Sequence, residues 1–216
     1  MRSIRKTHQP EELKQWLKDN KDLDCCYGAL RGKPAHTALK EKLLKEQHYL
    51  CAYTGRRISI NSSHCEHLKP QNKCVGTEDV SYKNIVACFP KDGGDESYGY
   101  GAPIKKGQWN PALFLSPCSS NAERKYRFSW SGKINPTNSS DKQAIYTIDL
   151  LKLDHPELSK LRKSAIKGFF GFNKPGKELT KKQAHILLRK IDTPTSNGQL
   201  RPFCFILKQL LNKYAC

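Results

Sequence analysis

His64, Glu66 and His67 fall within four residues of one another, Asn84 lies seventeen positions beyond His67, and Asp92 and Asp95 follow. An imidazole with an ordinary pKa near ~6.5 can take a proton from water at neutral pH, which makes His67 the best candidate general base in the chain. A Glu66 carboxylate is a hard oxygen donor for an ion such as Mg²⁺, which keeps several waters and needs few protein ligands. A divalent ion held there would act as a Lewis acid on a phosphate and its leaving oxygen. The chemistry these residues could support is metal-assisted hydrolysis of a phosphodiester. A lone Glu-His pair is more often a bland surface pair, so its surroundings decide its weight.

The elements that must position these side chains are short. From Cys51 to about Asp95 the helical period gives way to alternating runs, Arg57-Ile58-Ser59-Ile60 and His64-Cys65-Glu66-His67-Leu68, joined by Asn61-Ser62-Ser63. In a regular strand Glu66 shares a face with His64 and Leu68 while His67 points to the other, so a bend or bulge at His67 is expected if both are to reach one phosphate. Helices are predicted over Pro10–Asn20 and Leu39–His48 before this segment, and over Ala144–Leu151, Pro156–Phe170, Thr180–Ile191 and Pro202–Tyr214 after it. Tyr126 to Ile134 reads as a hairpin turning at Ser131-Gly132. Glycines at 93, 94, 99, 101 and 107 mark a loop whose backbone could approach phosphate, although it lacks P-loop spacing. Asp192 to Gly198 reads as a linker. The implied segments are 1–48, 49–140 and 141–216.

Thirty-eight Lys and Arg against twenty Asp and Glu give a formal charge of +18. Such a field attracts polyanions and predicts binding that weakens steeply with salt. Candidate phosphate contacts are Lys69, Lys91, Lys105 and Lys106 around the central segment, and Lys160, Arg162, Lys163 and Lys167 on the long helix, with Lys174, Lys177, Lys181 and Lys182 after it. The solvated basic face is the plainer alternative. No stretch has the roughly twenty apolar residues needed to span a bilayer, and the start is polar and basic. Nine cysteines, an odd number, fit a reduced setting. A soluble, cytoplasmic protein is expected. Cys25-Cys26 is read as packed, because no histidine and carboxylate at recognisable spacing argue for a thiol protease.

His48-Tyr49-Leu50-Cys51-Ala52-Tyr53-Thr54-Gly55, Cys65-Glu66-His67-Leu68-Lys69-Pro70 and Tyr82-Lys83-Asn84-Ile85-Val86-Ala87-Cys88 together resemble the HNH endonucleases of the PtuB type, the nuclease subunit of Septu antiphage systems, some of which are attached to retrons. Asp92-Gly93-Gly94, Ser97 to Ala102 and Ile145 to Leu151 resemble its later segments. The resemblance covers roughly residues 48 to 165. It implies an α+β fold, with a ββα-metal (HNH) nuclease core embedded in a mostly helical chain and a helical C-terminal region. By position, Glu66 matches the metal-binding acid, His67 the general base, and Asn84 the asparagine that holds the loop and orients the base. The last metal ligand departs from the family's His or Asn; Asp92 is the first choice, with Asp95 and His64 behind it.

The cofactor implied is Mg²⁺ or Mn²⁺. Zinc-braced members carry two Cys-x-x-Cys knuckles, whereas here Cys51 is followed by Thr54 and Cys88 by Lys91, which excludes the usual four-cysteine zinc site. Cys51, Cys65, Cys74 and Cys88 are read as small buried hydrophobes in preference to an irregular zinc site. The resemblance also implies an ABC-type ATPase of the PtuA type as partner, with Phe169, Phe170 and Phe172 as candidate contacts, and a retron reverse transcriptase with its DNA/RNA product as further partners. DNA is the default substrate; RNA, including tRNA, stays open, because metal-assisted attack by water does not need the 2′-hydroxyl. The rival reading is a non-catalytic nucleic-acid-binding or scaffold protein on a decayed HNH core, which would keep its affinity when Mg²⁺ is removed.

Overall fold

Most of the longer helices begin where the sequence supplies a proline at the first turn or a side chain that can cap. The computed structural model describes residues 1–22, 27–94, 96–171 and 179–215, and among them α1 (Glu11–Asp19) follows Pro10 and carries Glu11 and Glu12 in its first turn, where the helix dipole favours negative charge. A short α2 (Tyr27–Leu30) precedes α3 (Pro34–Glu46), which starts earlier than its leucines alone suggest because Pro34 presets the first helical φ. Past the central segment, Asp141 caps α5 (Lys142–Leu150) by accepting from Ala144 N, and His155 caps α6 (Pro156–Phe170). Thr180 and Gln183 form a reciprocal capping box on α7 (Lys181–Ile191). The last helix of the chain is named after the strands below.

The strands are fewer and shorter than the alternation suggests. β1 (His64–His67) pairs antiparallel with β2 (Ile85–Cys88) in the register His64↔Cys88 to His67↔Ile85. The pairing is one residue to one along its whole length, so the bulge expected at His67 is absent. Arg57 to Ile60 forms no strand; one isolated bridge joins Leu50 to Arg57. The chain turns instead at Gly55, whose φ of 76° leaves the aromatic ring of Phe205 where a Cβ would stand, 2.5 Å from its place. A short α4 (Ala102–Lys105) closes the glycine-rich loop. The fold is α-rich with two small two-stranded sheets, an arrangement compatible with an α+β class.

β3 (Tyr126–Phe128) and β4 (Ile134–Pro136) form the second sheet, and α8 (Cys204–Ala215) ends the described chain. The expected hairpin is present, but its turn is one residue longer than the two-residue one at Ser131-Gly132: Gly132 N donates to Ser129 O at 2.9 Å and Ser129 N to Lys133 O at 3.0 Å, with Phe128 opposite Ile134. The turn also lies close against α6: a Cβ on Gly132, at φ 81°, would lie 2.2 Å from Ser159 O and 2.9 Å from Lys163 N. Gln209 of α8 secures the sheet, accepting from Phe128 N at 2.7 Å and donating to Tyr126 O at 2.9 Å. Phe205, Ile206, Leu207, Leu210 and Leu211 bury the same helix.

Arg162 is a correction to the basic face expected on α6. It is 2% exposed, and its guanidinium donates to Leu153 O at 2.7 Å and Gly132 O at 3.4 Å. It follows Leu158 and precedes Ile166 on one helical stripe, which is the buried one. Its charge ties the chain to itself and is out of reach of phosphate. Lys160, Lys163 and Lys167 remain exposed, Lys160 pairing with Glu157. Phe169 and Phe170 are half-buried and stack on each other and, through Phe170, on Trp130. Phe172, Lys174, Lys177, Cys25 and Cys26 lie outside the described residues. No helix among the described residues is long and apolar enough to cross a membrane.

The site-bearing sheet is fixed by hydrogen bonds from α3. Gln47, just past the end of α3, is 2% exposed; its amide donates to Leu50 O and Ala87 O, and it accepts from Ala87 N, each at 2.8 Å. Gly132→Ala is expected to lower stability by about 2–4 kcal/mol, since it adds both a clash with α6 backbone and left-handed strain. Urea unfolding reads this directly, and an unchanged midpoint would mean that the loop lies free of α6.

Candidate active site

Strand alternation puts His64 and Glu66 on one face of β1. Their side chains meet, His64 Nε2 lying 3.4 Å from Glu66 Oε2. The other ring nitrogen of His64 lies 2.5 Å from Pro90 O. A carbonyl can only accept, so the hydrogen-bond pattern assigns the proton of a neutral His64 to Nδ1. Nε2 then presents a lone pair to an anionic oxygen. Two acceptors facing one another require a cation between them, either a second proton on the ring or a metal ion. A ring nitrogen committed to a backbone carbonyl is also the usual way in which a metal-ligating imidazole is oriented. Burial disfavours the charged form of His64, but the bonds to Glu66 and Pro90 outweigh it and raise its pKa above the ordinary value.

The other oxygen of Glu66 is held from behind. Oε1 lies 3.1 Å from Lys105 Nζ and accepts from Tyr53 OH at 3.3 Å. Lys105 is 1% exposed and its ammonium also donates to His67 O at 2.7 Å. This corrects the reading of Lys105 as a nucleic-acid contact: it is an interior cation shared between the side chain of Glu66 and the main chain of His67. Tyr53 is fully buried, delivered by the turn in which Gly55 N donates to Cys51 O and Ala52 N to Ala87 O. Burial pushes the Glu66 carboxyl up, and the bonds and charges of His64 and Lys105 more than offset this, so the net displacement is downward.

His67 lies on the opposite face and is 6% exposed. Its ring packs edge to face on Tyr27 at 4.5 Å, and its Nε2 lies 2.7 Å from Asp79 O. The same reasoning assigns the proton to Nε2 and leaves Nδ1 basic. Burial lowers the pKa of His67, opposed by the bond to Asp79 and the charge of Glu66, so the ring is held neutral to lower pH than an ordinary histidine. Although they point to opposite faces of β1, Glu66 and His67 both line one cleft of about 280 Å³, together with Pro70, Asn72, Lys105 and Lys106. A second cleft of about 250 Å³, lined by His64, Asp92, Gly94 and Lys106 among others, shares Lys106 with the first.

Asn84 staples the loop that runs between the two strands. Its Oδ1 accepts from Lys69 N at 2.8 Å, and its amide donates to Lys69 O and Glu78 O, both at 3.1 Å. This closes residues 69–84 on themselves and sets Asp79 O against His67. Asp79 is itself fixed by Tyr27 N, which donates to its carboxylate at 2.7 Å.

Asp92, the first choice for a further metal ligand, is exposed and lies 3.7 Å from Arg31. Asp95 lies outside the described residues. Among the described residues no group of three or more His, Cys, Asp or Glu is gathered as a metal site. The donors that do meet are Glu66 and His64, a set that suits an ion retaining several waters. Of the other lysines, Lys69 pairs with Glu78, Lys91 is exposed, and Lys106 is exposed with a strained φ of 45°. The four cysteines of the central segment fall in three separate places, Cys51 beside Cys88, Cys65 beside Tyr27 and Cys74 beside Asn84.

Tyr53 and Lys105 both touch Glu66, contacts that the sequence did not single out. Tyr53 belongs to a quoted motif, and Lys105 carries no local signal, since its burial depends on a strand 38 residues upstream.

The chain matches no protein-family model. It is similar to a protein of Vibrio cholerae serotype O1 biovar El Tor named "Retron Vc95 putative HNH endonuclease", with 28% identity over 135 residues. The match covers 59% of this chain and 63% of that relative, so the chain spans under two thirds of the length of the curated protein it resembles.

Proposed function

We propose that this protein is a metal-dependent HNH-type endonuclease that hydrolyses phosphodiester bonds in nucleic acid, DNA by default and RNA as the alternative. The observation that carries the reading is the facing pair of acceptors, His64 Nε2 and Glu66 Oε2 at 3.4 Å, beside a buried histidine whose Nδ1 is left basic. Glu66 and His64 would hold a divalent ion such as Mg²⁺ or Mn²⁺, with Asp92 and Asp95 as the further candidates. When bound, that ion supplies charge neutralisation at the phosphate and at the leaving oxygen.

The remaining work falls to the chain. His67 accepts the proton of the attacking water at Nδ1, and the bond from Nε2 to Asp79 O stabilises the imidazolium that results. Asn84 keeps that carbonyl in place. Lys106, on the rim of both clefts, and Lys69 and Lys91 near it are the candidate contacts to flanking phosphates, with Lys160, Lys163 and Lys167 on α6 as a more distant basic face. The name of the Vibrio cholerae relative supports a nuclease and a retron connection. Within this proposal the chain acts in antiphage defence of the Septu type, beside an ABC-type ATPase of the PtuA type and a retron reverse transcriptase with its DNA/RNA product, in the cytoplasm.

Plasmid DNA and total tRNA incubated with the protein in Mg²⁺ or Mn²⁺, with and without such an ATPase, test the reading. Cleavage is expected to vanish in chelator and to fall by about 10²–10⁴-fold in His67→Ala, with salt-sensitive binding retained in both. Binding without cleavage under every condition would move the assignment to a nucleic-acid-binding protein on a decayed core. Asn84→Ala is expected to cost about 1–3 kcal/mol in urea unfolding and to slow cleavage, because Asp79 O would no longer be held against His67. Unchanged values of both would remove Asn84 from the site.

A further inference from the structure

The feature least explained by hydrolysis itself is the buried lysine behind Glu66. Ion pairs taken out of water seldom repay their desolvation, so a fully buried lysine is weak evidence for stability as its purpose. The chain also adopts strained backbone to deliver it. α4 is one turn long and lies between two residues of positive φ, Gly101 at 78° and Lys106 at 45°. Lys106 is the non-glycine residue of that pair, and strain of this kind gathers at functional sites. Packing is tight on both sides: a Cβ on Gly101 would lie 3.3 Å from Thr54, and one on Gly107 3.1 Å from Asn72. The result is an ammonium 3.1 Å from Glu66 Oε1 and 2.7 Å from His67 O.

We propose that Lys105 sets the metal affinity of the Glu66 site from within, as an internal counter-ion that shares the carboxylate with the divalent ion and weakens its hold. This rests on the nuclease reading above, since it concerns the same carboxylate. Glu66 and Lys105 already balance one another, so an ion on Oε2 adds its two positive charges to a locally neutral pair. In an interior of low dielectric the repulsion between ion and ammonium is poorly screened. What restores balance is an anion, and the phosphodiester of the substrate is one. The site therefore takes up its ion weakly on its own and tightly with nucleic acid in the cleft. Tyr53 shares Oε1 with Lys105 but carries no charge, which separates positioning from electrostatics.

The test is a titration of free Mn²⁺ followed by electron paramagnetic resonance, on the protein alone, with Lys105→Met, Lys105→Gln and Tyr53→Phe beside the wild type. Gln keeps a donor for His67 O; Met removes it. Both Lys105 variants are expected to bind Mn²⁺ at least about tenfold more tightly than the wild type, and Tyr53→Phe to change the affinity far less. Unchanged or weaker binding in both Lys105 variants overturns the proposal and leaves Lys105 as a positioning residue. Should both be unfolded in chelator, Mn²⁺ is expected to restore their circular dichroism, and chains that stay unfolded in Mn²⁺ overturn it too. If the wild type and every variant bind no Mn²⁺ up to millimolar concentration, the metal-site reading itself fails.

Discussion

Glu66 is a carboxylate only 15% exposed at the edge of a two-stranded sheet, and a charge so placed persists only when it is paired and hydrogen-bonded. The chain satisfies it with two oxygens doing different things. Oε1 is fixed by the interior ammonium of Lys105 and by Tyr53, and Oε2 is turned toward His64. The same ammonium grips the carbonyl of His67, so the side chain of Glu66 and the backbone of His67 are tied to one charge. Gln47 holds β2, and with it β1, against α3. The two strands are four residues each, and their neighbours supply the rigidity that the ladder alone lacks.

The opposite face of β1 is organised around another carbonyl. Asp79 O holds His67 Nε2, Tyr27 holds Asp79 and packs on the imidazole, and Asn84 closes the loop that carries Asp79. His67 is thus buried and oriented by a carbonyl, while His64 faces a carboxylate, though both are histidines on one short strand. Their environments push them apart, His67 downward chiefly through burial and His64 upward through its bonds to Glu66 and Pro90. Divergence of this kind between neighbouring groups is how a site assigns different tasks to the same residue type.

Much of this was readable from residue types. The period of two places His64 and Glu66 on one face, and prolines, Asp141 and Thr180 mark helix starts that the structure shows at or within a few residues of those positions. Arg162 was readable too: it sits four residues after Leu158 and four before Ile166, in the stripe that packs inward, yet its place in a basic run suggested phosphate. Lys105 was not readable. Nothing local separates it from Lys106, and one residue of phase on a single helical turn sends one ammonium into the core and leaves the other outside. The two-residue turn expected at Ser131-Gly132 is one residue longer, because Gly132, at positive φ, both closes the turn onto Ser129 O and makes room for α6.

The most direct measurement is a crystal of the protein soaked in Mn²⁺, with anomalous scattering used to locate the ion. A peak between Glu66 Oε2 and His64 Nε2 is expected, with Lys105 still on Oε1. A peak seated on Asp92 away from Glu66, or no peak on either carboxylate at saturating Mn²⁺, would contradict the assignment of Glu66 and His64 as the pair that holds the metal.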